Sequence, residues 1–234
     1  MAFLYETHLH TKEGSGCGVS SGRDYVRKYL DLGYTGIIVT DHFFGGNSRV
    51  NRNYPWSKWV NEFCKGYELT REEGERRGLD VFLGWEETIG DNDYLVYGLD
   101  KNWLLEHPEV ADWDQYEQYS EVMRYGGCVV HAHPFRYARY DRAIAASCEC
   151  VHAIEAANSG NSRDSDVMAM TRARKINVTA TAGSDIHSAA SISRGSVFGV
   201  YLDKKMKTIT DYVEAVLNNN IAALKVPPGH FGRN

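Results

Sequence analysis

The chain has 234 residues, of which 43% are hydrophobic and 24% are charged, and its formal net charge is −5. This length suffices for one large domain or two small ones. No apolar run approaches the roughly 20 residues needed to cross a membrane, and no basic segment followed by a long apolar one opens the chain, so we expect neither membrane attachment nor secretion. The acidic balance disfavours binding to long nucleic acids.

The cysteines point to a reducing compartment. There are five of them, an odd and scattered set, and without a secretory signal they favour free thiols in the cytoplasm. Cys148 and Cys150 form a single close pair with no second pair to complete a zinc-binding motif. The sequence therefore predicts a cytoplasmic protein with reduced cysteines.

Short apolar runs alternate with amphipathic segments along the chain. Predicted strands cover residues 2–5, 35–40, 81–85, 94–99, 128–130 (running into His131), 151–155, 178–182, 196–202 and 221–226. Predicted helices cover residues 23–32, 56–77, 112–125, 139–147, 164–174 and 208–217. This alternation is typical of a parallel sheet covered on both faces. No low-complexity linker divides residues 1–234, so we expect one α/β domain, and its length fits a closed barrel of about seven βα units.

Residues that commonly bind metals follow most of these strands. His8 and His10 come directly after the first strand, and residues two apart on a strand share a face. One such pair is a modest indication of a metal site. The full set of strand-end candidates is His8, His10, His42, Glu86, His133, Asp185 and His187. Because the strand ends of a βα barrel meet at one rim, we expect these side chains to converge.

The chemistry of this set indicates the kind of metal. Imidazoles and carboxylates without thiolate suit Zn²⁺, Mn²⁺ or Fe²⁺ better than Ca²⁺ or Mg²⁺ alone. Seven candidates exceed the four ligands of a tetrahedral ion, so at least two ions are predicted, with Glu86 as the bridge between them. Ions about 3.5–4 Å apart can activate a water and hold both the attacking and the leaving oxygen in phosphoryl transfer.

The same residues resemble the motifs of the PHP (polymerase and histidinol phosphatase) family. The matching series is His8-x-His10, Thr40-Asp41-His42, Gly84-x-Glu86, His133-Pro134 and Gly183-Ser184-Asp185-x-His187. The resemblance implies a distorted (β/α)₇ TIM-like barrel with two or three divalent metal ions and hydrolysis of phosphate esters. It implies metal binding by His8, His10, Glu86, His133, Asp185 and His187, with His42 serving a further metal.

Two segments depart from the family pattern. Many members carry an Asp or His a few residues after the His-x-His motif as a ligand of the third metal, where this chain offers Glu13 or Ser15. Members with three metals also have another His after the Gly-x-Glu strand, and residues 91–95 contain none. Whether two or three ions bind is left open, with Asp93 and His131 as candidates to hold a third.

Other polar residues near the strand ends are expected to assist. His131 should face the same side as His133, as a ligand, a support for a ligand or a packed interior residue. We expect Asp41 to orient His42 or its loop, or to cap a turn, and Glu155 to have a structural or ligand-supporting role. Glu87 alternates with Glu86 along its strand and should face outward.

A phosphate group also requires positive charge. Arg136, just after His133, and Arg194, in the loop after His187, are the best placed, with a solvated surface charge as the alternative reading of each. Residues 43–59 are rich in aromatic and basic side chains and are interpreted as either a substrate-selecting lid or an ordered surface loop.

The sequence thus predicts a metal-dependent hydrolase of a small phosphorylated substrate, a phosphomonoester in preference to a diester, acting through a metal-activated hydroxide. Arg136 or Arg194 would neutralise the non-bridging oxygens, and Asp185 or a metal-bound water would handle the proton. The alternatives are a phosphodiesterase or nuclease of the same fold, an amidohydrolase-type hydrolase and, less favoured, a non-catalytic metal-binding domain. Oligomeric state and physiological substrate are left open.

Overall fold

One mixed sheet and the helices packed on it form the protein. The computed structural model describes residues 2–136 and 150–232. In these residues the strands are β1 Phe3–Glu6, β2 Gly36–Val39, β3 Asp80–Ile89, β4 Asn92–Tyr97, β5 Cys128–His131, β6 Ala153–Asn158, β7 Thr179–Gly183, β8 Gly199–Leu202 and β9 Ala223–Lys225. The α-helices are α1 Gly22–Asp31, α2 Trp56–Phe63, α3 Lys65–Arg77, α4 Lys101–Glu106, α5 Gln115–Arg124, α6 Arg163–Ile176 and α7 Ile209–Leu217. Short 3₁₀ helices cover Pro108–Asp112 and Ala189–Ser191.

The sheet has the strand order β7-β6-β5-β4-β3-β2-β1-β8-β9. Strands β1 to β3 are parallel neighbours, as are β5 to β7, but β4 is antiparallel to both β3 and β5, and β8 is antiparallel to β1 and β9. The expectation of a wholly parallel sheet is therefore wrong. Strand β4 runs antiparallel because a tight turn between Ile89 and Asn92, in which Gly90 takes a positive φ of 62°, joins it to β3. So short a turn can join only antiparallel strands.

The two ends of this sheet approach each other and nearly close it into a barrel. Leu9, after β1, forms a parallel bridge with Ile186, after β7. The amide of His10 donates to the carbonyl of Ile186 (2.9 Å), and the amide of Asp185 donates to that of His8 (2.8 Å). Strands β1 to β7 thus form a distorted α/β barrel, which confirms the predicted fold class, while β8 and β9 extend the sheet beside β1.

Several element boundaries differ from the sequence prediction. The helix expected over residues 56–77 is interrupted at Cys64 and becomes α2 and α3. Strand β3 continues to Ile89 because its hairpin with β4 supplies hydrogen bonds beyond the apolar run. The short helix expected over residues 139–147 lies outside the described residues. Among the described helices, none combines the length and the apolar character needed to cross a bilayer.

An aromatic cluster anchors the segment of residues 43–59 at both of its ends. Phe43 is fully buried, and its ring lies 5.0 Å from that of Trp59 and 5.2 Å from that of Trp85. Trp56 stacks on Trp59 at 5.3 Å. Buried aromatic rings contribute much apolar area and pack in specific geometries, so the start of this segment is fixed beside the strand that carries Glu86.

Candidate metal centre

All seven strand-end candidates lie together at one rim of the barrel. His8 and His10 follow β1, His42 follows β2, His133 follows β5, and the pair Asp185 and His187 follows β7. Glu86 lies within β3 rather than at its end, which corrects its predicted position. It still faces the rim because residue 86 forms a parallel bridge with residue 42, where β2 has already ended.

Hydrogen bonds fix which nitrogen of His8 and of His10 carries the proton. Nδ1 of His8 lies 3.0 Å from a Glu155 carboxylate oxygen, which can only accept. Nδ1 of His10 lies 3.0 Å from Oγ of Ser15, whose own proton goes to Asp41 at 2.6 Å. Both Nδ1 atoms are therefore donors. Burial alone would lower the pKa of His8, but the charges of nearby carboxylates raise it well above its usual range, so Nε2 of His8 also carries a proton in the absence of a metal. That Nε2–H faces the lone pair on Nε2 of His10 at 3.1 Å, and a divalent cation could take the place of this proton.

The Glu86 carboxylate lies in the middle of the cluster and contacts four imidazoles. Oε1 lies 2.9 Å from Nε2 of His133 and 3.3 Å from Nε2 of His8. Oε2 lies 2.9 Å from Nδ1 of His42 and 3.3 Å from Nε2 of His10. Each oxygen thus serves a different pair of histidines, which is the arrangement expected of a carboxylate that bridges two ions.

Asp185 closes the cluster from the β7 side. Its Oδ1 lies 3.0 Å from Nε2 of His10 and 3.5 Å from Nε2 of His8. Its backbone carbonyl lies 2.8 Å from Nδ1 of His187, which makes that nitrogen a donor and leaves Nε2 of His187 as the lone-pair atom. Asp185 has a φ of 54° and His133 one of 29°, so both occupy the left-handed region that non-glycine residues seldom adopt. Such strain is concentrated at functional sites.

Burial and mutual charge set the protonation of these groups. Burial by itself would raise the pKa of Glu86, but the neighbouring His8 and His42 hold it well below its usual range. Burial would likewise raise the pKa of Asp185, and His8 and His10 hold it well below normal. Burial, with His42 beside it, lowers the pKa of His10 to about 3. Ionised carboxylates next to a neutral imidazole form a donor set ready for a cation.

Among residues 2–136 and 150–232, three groups have donor atoms within 4.8 Å of one another, as an ion requires. They are His8 with Glu86 and His133; His8 with His10 and Asp185; and His10 with His42 and His187. Oε2 of Glu86 and Nδ1 of His42 are buried and form an ion pair at 2.9 Å whose geometry is poor for a hydrogen bond. Buried charges are stable only when paired, and a divalent cation would satisfy both donor atoms, so the residues present fit divalent metals.

Glu155 and Asp41 support the cluster from behind. Glu155 is fully buried, and while one oxygen faces His8, the other accepts from the amide of His133 (2.9 Å). Asp41 accepts from the amide and the hydroxyl of Thr11 at 2.6 Å each, as well as from Ser15. Through Ser15, whose Oγ also accepts from the amide of His42 at 2.9 Å, Asp41 orders the loop that follows β1.

His131 and Asp93 lie beside the cluster. Nε2 of His131 contacts the Asn92 side-chain oxygen at 3.2 Å, and its ring stacks on Tyr94 at 5.4 Å. Its burial lowers its pKa to about 3, and it belongs to none of the three donor groups. Asp93 accepts from the Thr88 hydroxyl at 2.6 Å and lies 3.8 Å from Nε2 of His133.

The two predicted arginines have different surroundings. Arg136 forms an ion pair with Oδ2 of Asp185 at 2.6 Å, and it donates to the side-chain oxygens of Asn158 (2.7 Å) and Asn161 (2.9 Å). It is therefore held at the edge of the cluster. Arg194 lies in an exposed loop, where it lines a surface groove with Lys225. The structure thus brings Arg136, but not Arg194, to the candidate centre.

A cleft of about 180 Å³ opens next to the cluster. Its lining includes Thr88, Asp93, His131, His133 and Arg136. These groups offer hydroxyl, carboxylate, imidazole and guanidinium contacts rather than an apolar surface. A small polar molecule could therefore approach the cluster from this side.

Sequence reasoning missed Cys17 and misjudged the places of Glu13 and Ser15. Burial alone would raise the pKa of the half-buried Cys17 thiol, but the imidazoles of His187 and His42 lower it to about 6. Glu13, expected near that place, instead accepts from Ser21 and Gly22 at the start of α1. Ser15 instead accepts from Nδ1 of the His10 imidazole and from the backbone amide of His42. Cys17 lies in an irregular loop rich in glycine, so no strand or helix periodicity could have revealed it.

Glu87 also departs from its expectation. It points away from Glu86 as the alternation of β3 requires, yet only 6% of it is exposed. The backbone after His42 covers it, and its Oε1 accepts from the amides of Gly45 (2.7 Å) and Thr88 (2.8 Å). The face opposite the centre is therefore covered by the segment of residues 43–59.

A distorted α/β barrel with buried imidazoles and carboxylates at its rim is thus the class that fold and centre define. No model of a known protein family matches the sequence, and a comparison with curated proteins likewise finds no match.

Solved structures do match this fold. A protein of Bifidobacterium adolescentis proposed to be a metal-dependent phosphoesterase superposes with a TM-score of 0.58 at 17% identity, over 93% of this chain and 96% of its own. A two-domain protein of Bacteroides vulgatus containing a predicted PHP-like metal-dependent phosphoesterase superposes with a TM-score of 0.65 at 17% identity, over 97% of this chain and 65% of its own. An amidohydrolase of Chromobacterium violaceum, with bound sulfate and no metal, superposes with a TM-score of 0.59 at 15% identity, over 90% of this chain and 96% of its own. At these identities the likeness shows a shared barrel fold.

Proposed function

We propose that this protein is a metal-dependent phosphoesterase that hydrolyses a small phosphate ester. The observation that carries the proposal is the convergence of the Nε2 atoms of His8 and His10, 3.1 Å apart, on the buried Glu86 carboxylate that lies beside both. Imidazole and carboxylate donors in this arrangement suit two divalent cations. The barrel shared with proteins described as phosphoesterases and an amidohydrolase supports the class of hydrolase.

Each residue of the centre has a distinct task in this proposal. The proposed ligands are His8, His10, Glu86, His133, Asp185 and His187, with His42 for a further ion. Divalent ions bound there supply a water of lowered pKa and neutralise charge on the phosphoryl oxygens. Glu155 holds the imidazole of His8, and Ser15 that of His10, so that Nε2 of each points into the centre. Asp185, whose pKa is held well below its usual range, is a weak base and would serve as a ligand and as the partner of Arg136, so the proton of the attacking water would leave through a neighbouring water.

Arg136 is the proposed phosphate-binding cation. Its guanidinium is held by Asn158, Asn161 and Asp185, so little conformational freedom remains to be lost when a phosphate oxygen binds. It lines the small cleft beside His133, and a cleft of this size fits a compact monoester better than a polymer.

An amidohydrolase-type reaction is the second candidate, because one structural neighbour is described as an amidohydrolase. The same ligand set could activate water toward a carbonyl carbon. The two candidates differ in the bond that breaks. Assaying phosphate esters beside carboxylic esters and amides therefore distinguishes them.

The test is a substrate panel with defined metal loading. Nitrophenyl phosphate, bis(nitrophenyl) phosphate, nitrophenyl acetate and a nitroanilide are assayed after chelator treatment and after addition of Zn²⁺, Mn²⁺ or Fe²⁺. We expect hydrolysis of the monoester to vanish with chelator and return with metal, and His10→Ala or Glu86→Gln to abolish it. His107→Ala, in a histidine paired with Glu109 outside the centre, serves as the control. Full activity of His10→Ala, or turnover of the acetate or nitroanilide alone, would overturn the proposal.

A further inference from the structure

Two asparagine side chains lie between the Arg136 guanidinium and two buried carboxylates. Nη2 of Arg136 donates to the side-chain oxygen of Asn158 (2.7 Å), and Nε donates to that of Asn161 (2.9 Å). The side-chain nitrogen of Asn158 donates to Glu155 (2.8 Å), and that of Asn161 donates to Asp166 (2.9 Å). Because a carboxylate accepts and a guanidinium only donates, each amide turns its nitrogen to the carboxylate and its oxygen to the guanidinium.

The two carboxylates differ in what else they hold. Glu155 also faces Nδ1 of His8, whereas Asp166 lies fully buried near the start of α6. Within residues 2–136 and 150–232, the hydrogen-bond partners of Asp166 are the backbone amide of Asn158 (3.3 Å) and the side chains of Asn161 and His230, rather than a proposed metal ligand. Asp166 therefore acts on the guanidinium without acting directly on the metal centre.

The C-terminal end of the chain supplies the remaining partner of Asp166. Nε2 of His230 lies 2.7 Å from Oδ2 of Asp166, and only 10% of the His230 side chain is exposed. Arg163 donates to the backbone carbonyls of Gly229 and His230 at 2.7 Å each. The His230 ring also packs against Phe198, with 5.4 Å between the ring centroids. Residues 229–230 are thus held beside the start of α6 by their backbone as well as by the imidazole.

The guanidinium keeps donors for a ligand in this arrangement. Nε, Nη2 and Nη1 each give one N–H, to Asn161, Asn158 and Asp185 respectively. A guanidinium has five N–H groups, so within the described residues these contacts leave one N–H on each Nη nitrogen. Arg136 also lines the small cleft beside His133, where a phosphate oxygen can reach it.

We propose that Asp166 and His230 are positioning residues that hold Arg136 in the orientation in which it binds phosphate, so that the C-terminal tail contributes to substrate binding. This inference rests on the proposed function and adds two residues to its phosphate site. His230 fixes one oxygen of Asp166, the other oxygen fixes the Asn161 amide, and that amide fixes the guanidinium. A planar guanidinium recognises phosphate best when its orientation is set before binding.

The test is a double-mutant cycle read by binding of inorganic phosphate. The full-length protein is loaded with Zn²⁺, freed of excess metal and titrated with inorganic phosphate in a calorimeter. Arg136→Met should weaken phosphate binding, and it defines how much the guanidinium contributes. His230→Phe and Asp166→Asn should each weaken it by about 3–30-fold, the range for residues that share one hydrogen-bond network.

The same two substitutions should have little effect when combined with Arg136→Met, because the group that they position is then absent. A merely structural role would instead weaken binding by the same factor in both backgrounds. His230→Gln retains an N–H donor for Asp166 and should bind phosphate nearly as tightly as the wild type. His107→Phe is the matched control, since His107 also pairs with a carboxylate at 2.7 Å but lies outside the centre.

Equal losses with and without Arg136, or unchanged phosphate affinity in both His230→Phe and Asp166→Asn, would overturn the inference. Absence of phosphate binding by the wild type, or undiminished binding by Arg136→Met, would overturn it as well. The titration requires no turnover. Coupled losses in a protein that hydrolyses no ester would therefore support the positioning role while contradicting the proposed function, and ester hydrolysis without coupling would do the reverse.

Discussion

The orientation of each imidazole depends on a partner at its other nitrogen. Glu155 serves His8, Ser15 serves His10 and the Asp185 carbonyl serves His187. Of these partners the sequence singled out Glu155 and Asp185 by their strand-end positions, but their hydrogen bonds could not be predicted because they depend on side chains distant in sequence. The proposed ligands follow from a local pattern, whereas the groups that orient them depend on the assembled barrel.

Replacing Glu155 with Gln should weaken metal binding. One carboxylate oxygen of Glu155 faces His8 Nδ1, and the other accepts from His133 N and from the side-chain amide of Asn158 at 2.8 Å. An amide cannot accept on both sides, so the variant either loses the backbone contact or turns Nε2 of His8 away from the rim. We expect metal affinity to fall by about 10–100-fold. Chelator competition measures the change.

Glu109→Gln is the matched control for that measurement. Glu109 also pairs with an imidazole, that of His107 at 2.7 Å, but outside the centre. Metal affinity should be unchanged in this variant. Equal affinities in the two variants and the wild type would mean that Glu155 does not orient a ligand.

Glu87 should make stability depend on pH. Its burial raises its pKa to about 7, above the value of 4.5 for an unperturbed Glu. Between these values the folded protein keeps a proton that the unfolded chain has released, so the free energy of unfolding falls as pH rises and is constant above about pH 7. Glu87→Gln retains an acceptor for Gly45 and Thr88 but does not titrate.

The stability of Glu87→Gln relative to the wild type should therefore increase with pH. We expect a gain of roughly 1–3 kcal/mol between about pH 5 and pH 8, measured by urea unfolding with chelator present in both proteins. The comparison cancels the titration of the metal ligands, which both proteins share. A difference that is flat across this range would show that Glu87 is ionised in the folded protein throughout.

At the scale of elements, the sequence was informative where a short strand ends in a polar motif. Short apolar runs predicted β1, β2, β5 and β7 near their true positions, and each places a proposed ligand at the rim. The prediction failed at the β3–β4 hairpin, because strand direction depends on a two-residue turn rather than on apolar content. It missed Cys17 because the path of its loop is set by Asn47 and Asp41, which lie far along the chain.

Helix α3 should be sensitive to substitution at Gly66, where it packs against the loop after β1. A Cβ atom there would lie 2.1 Å from Oγ1 of Thr11 and 2.7 Å from Oδ2 of Asp41. These two residues hydrogen bond to each other and order the loop. We expect Gly66→Ala to destabilise the protein by about 1–3 kcal/mol despite the better helix propensity of alanine. Thermal and urea unfolding measure the effect.

Gly195→Ala is the control, since a Cβ atom there meets no atom within 4 Å. It should change stability little. If Gly66→Ala were instead more stable than the wild type, helix propensity would outweigh the close packing, and the proposed contact between α3 and the loop would be wrong.

At the scale of the whole molecule, one buried carboxylate connects the two ends of the barrel sheet. Glu6 is fully buried, and its carboxylate accepts hydrogen bonds from the amides of His8 (3.0 Å) and Ser184 (2.8 Å). Tyr29 donates to its other oxygen at 2.7 Å. Burial raises the pKa of Glu6, and these hydrogen bonds oppose the rise. The ligands that follow β1 and β7 are thus held together by the same group that closes the sheet.

Because the proposed ligands come from five strands of the barrel, removing the metals should loosen the whole molecule. A ligand that binds only the folded state stabilises it by about 2.7 kcal/mol at a hundred times its dissociation constant, which corresponds to about 5–10 °C for a chain of this length. We expect chelated protein to melt lower by this amount, and its midpoint to rise with the logarithm of added Zn²⁺ or Mn²⁺. His10→Ala should show a smaller rise, whereas His107→Ala should match the wild type. Identical midpoints with and without metal would show that the cluster at the rim does not bind these ions in the folded state, since mass action requires a shift whenever it does.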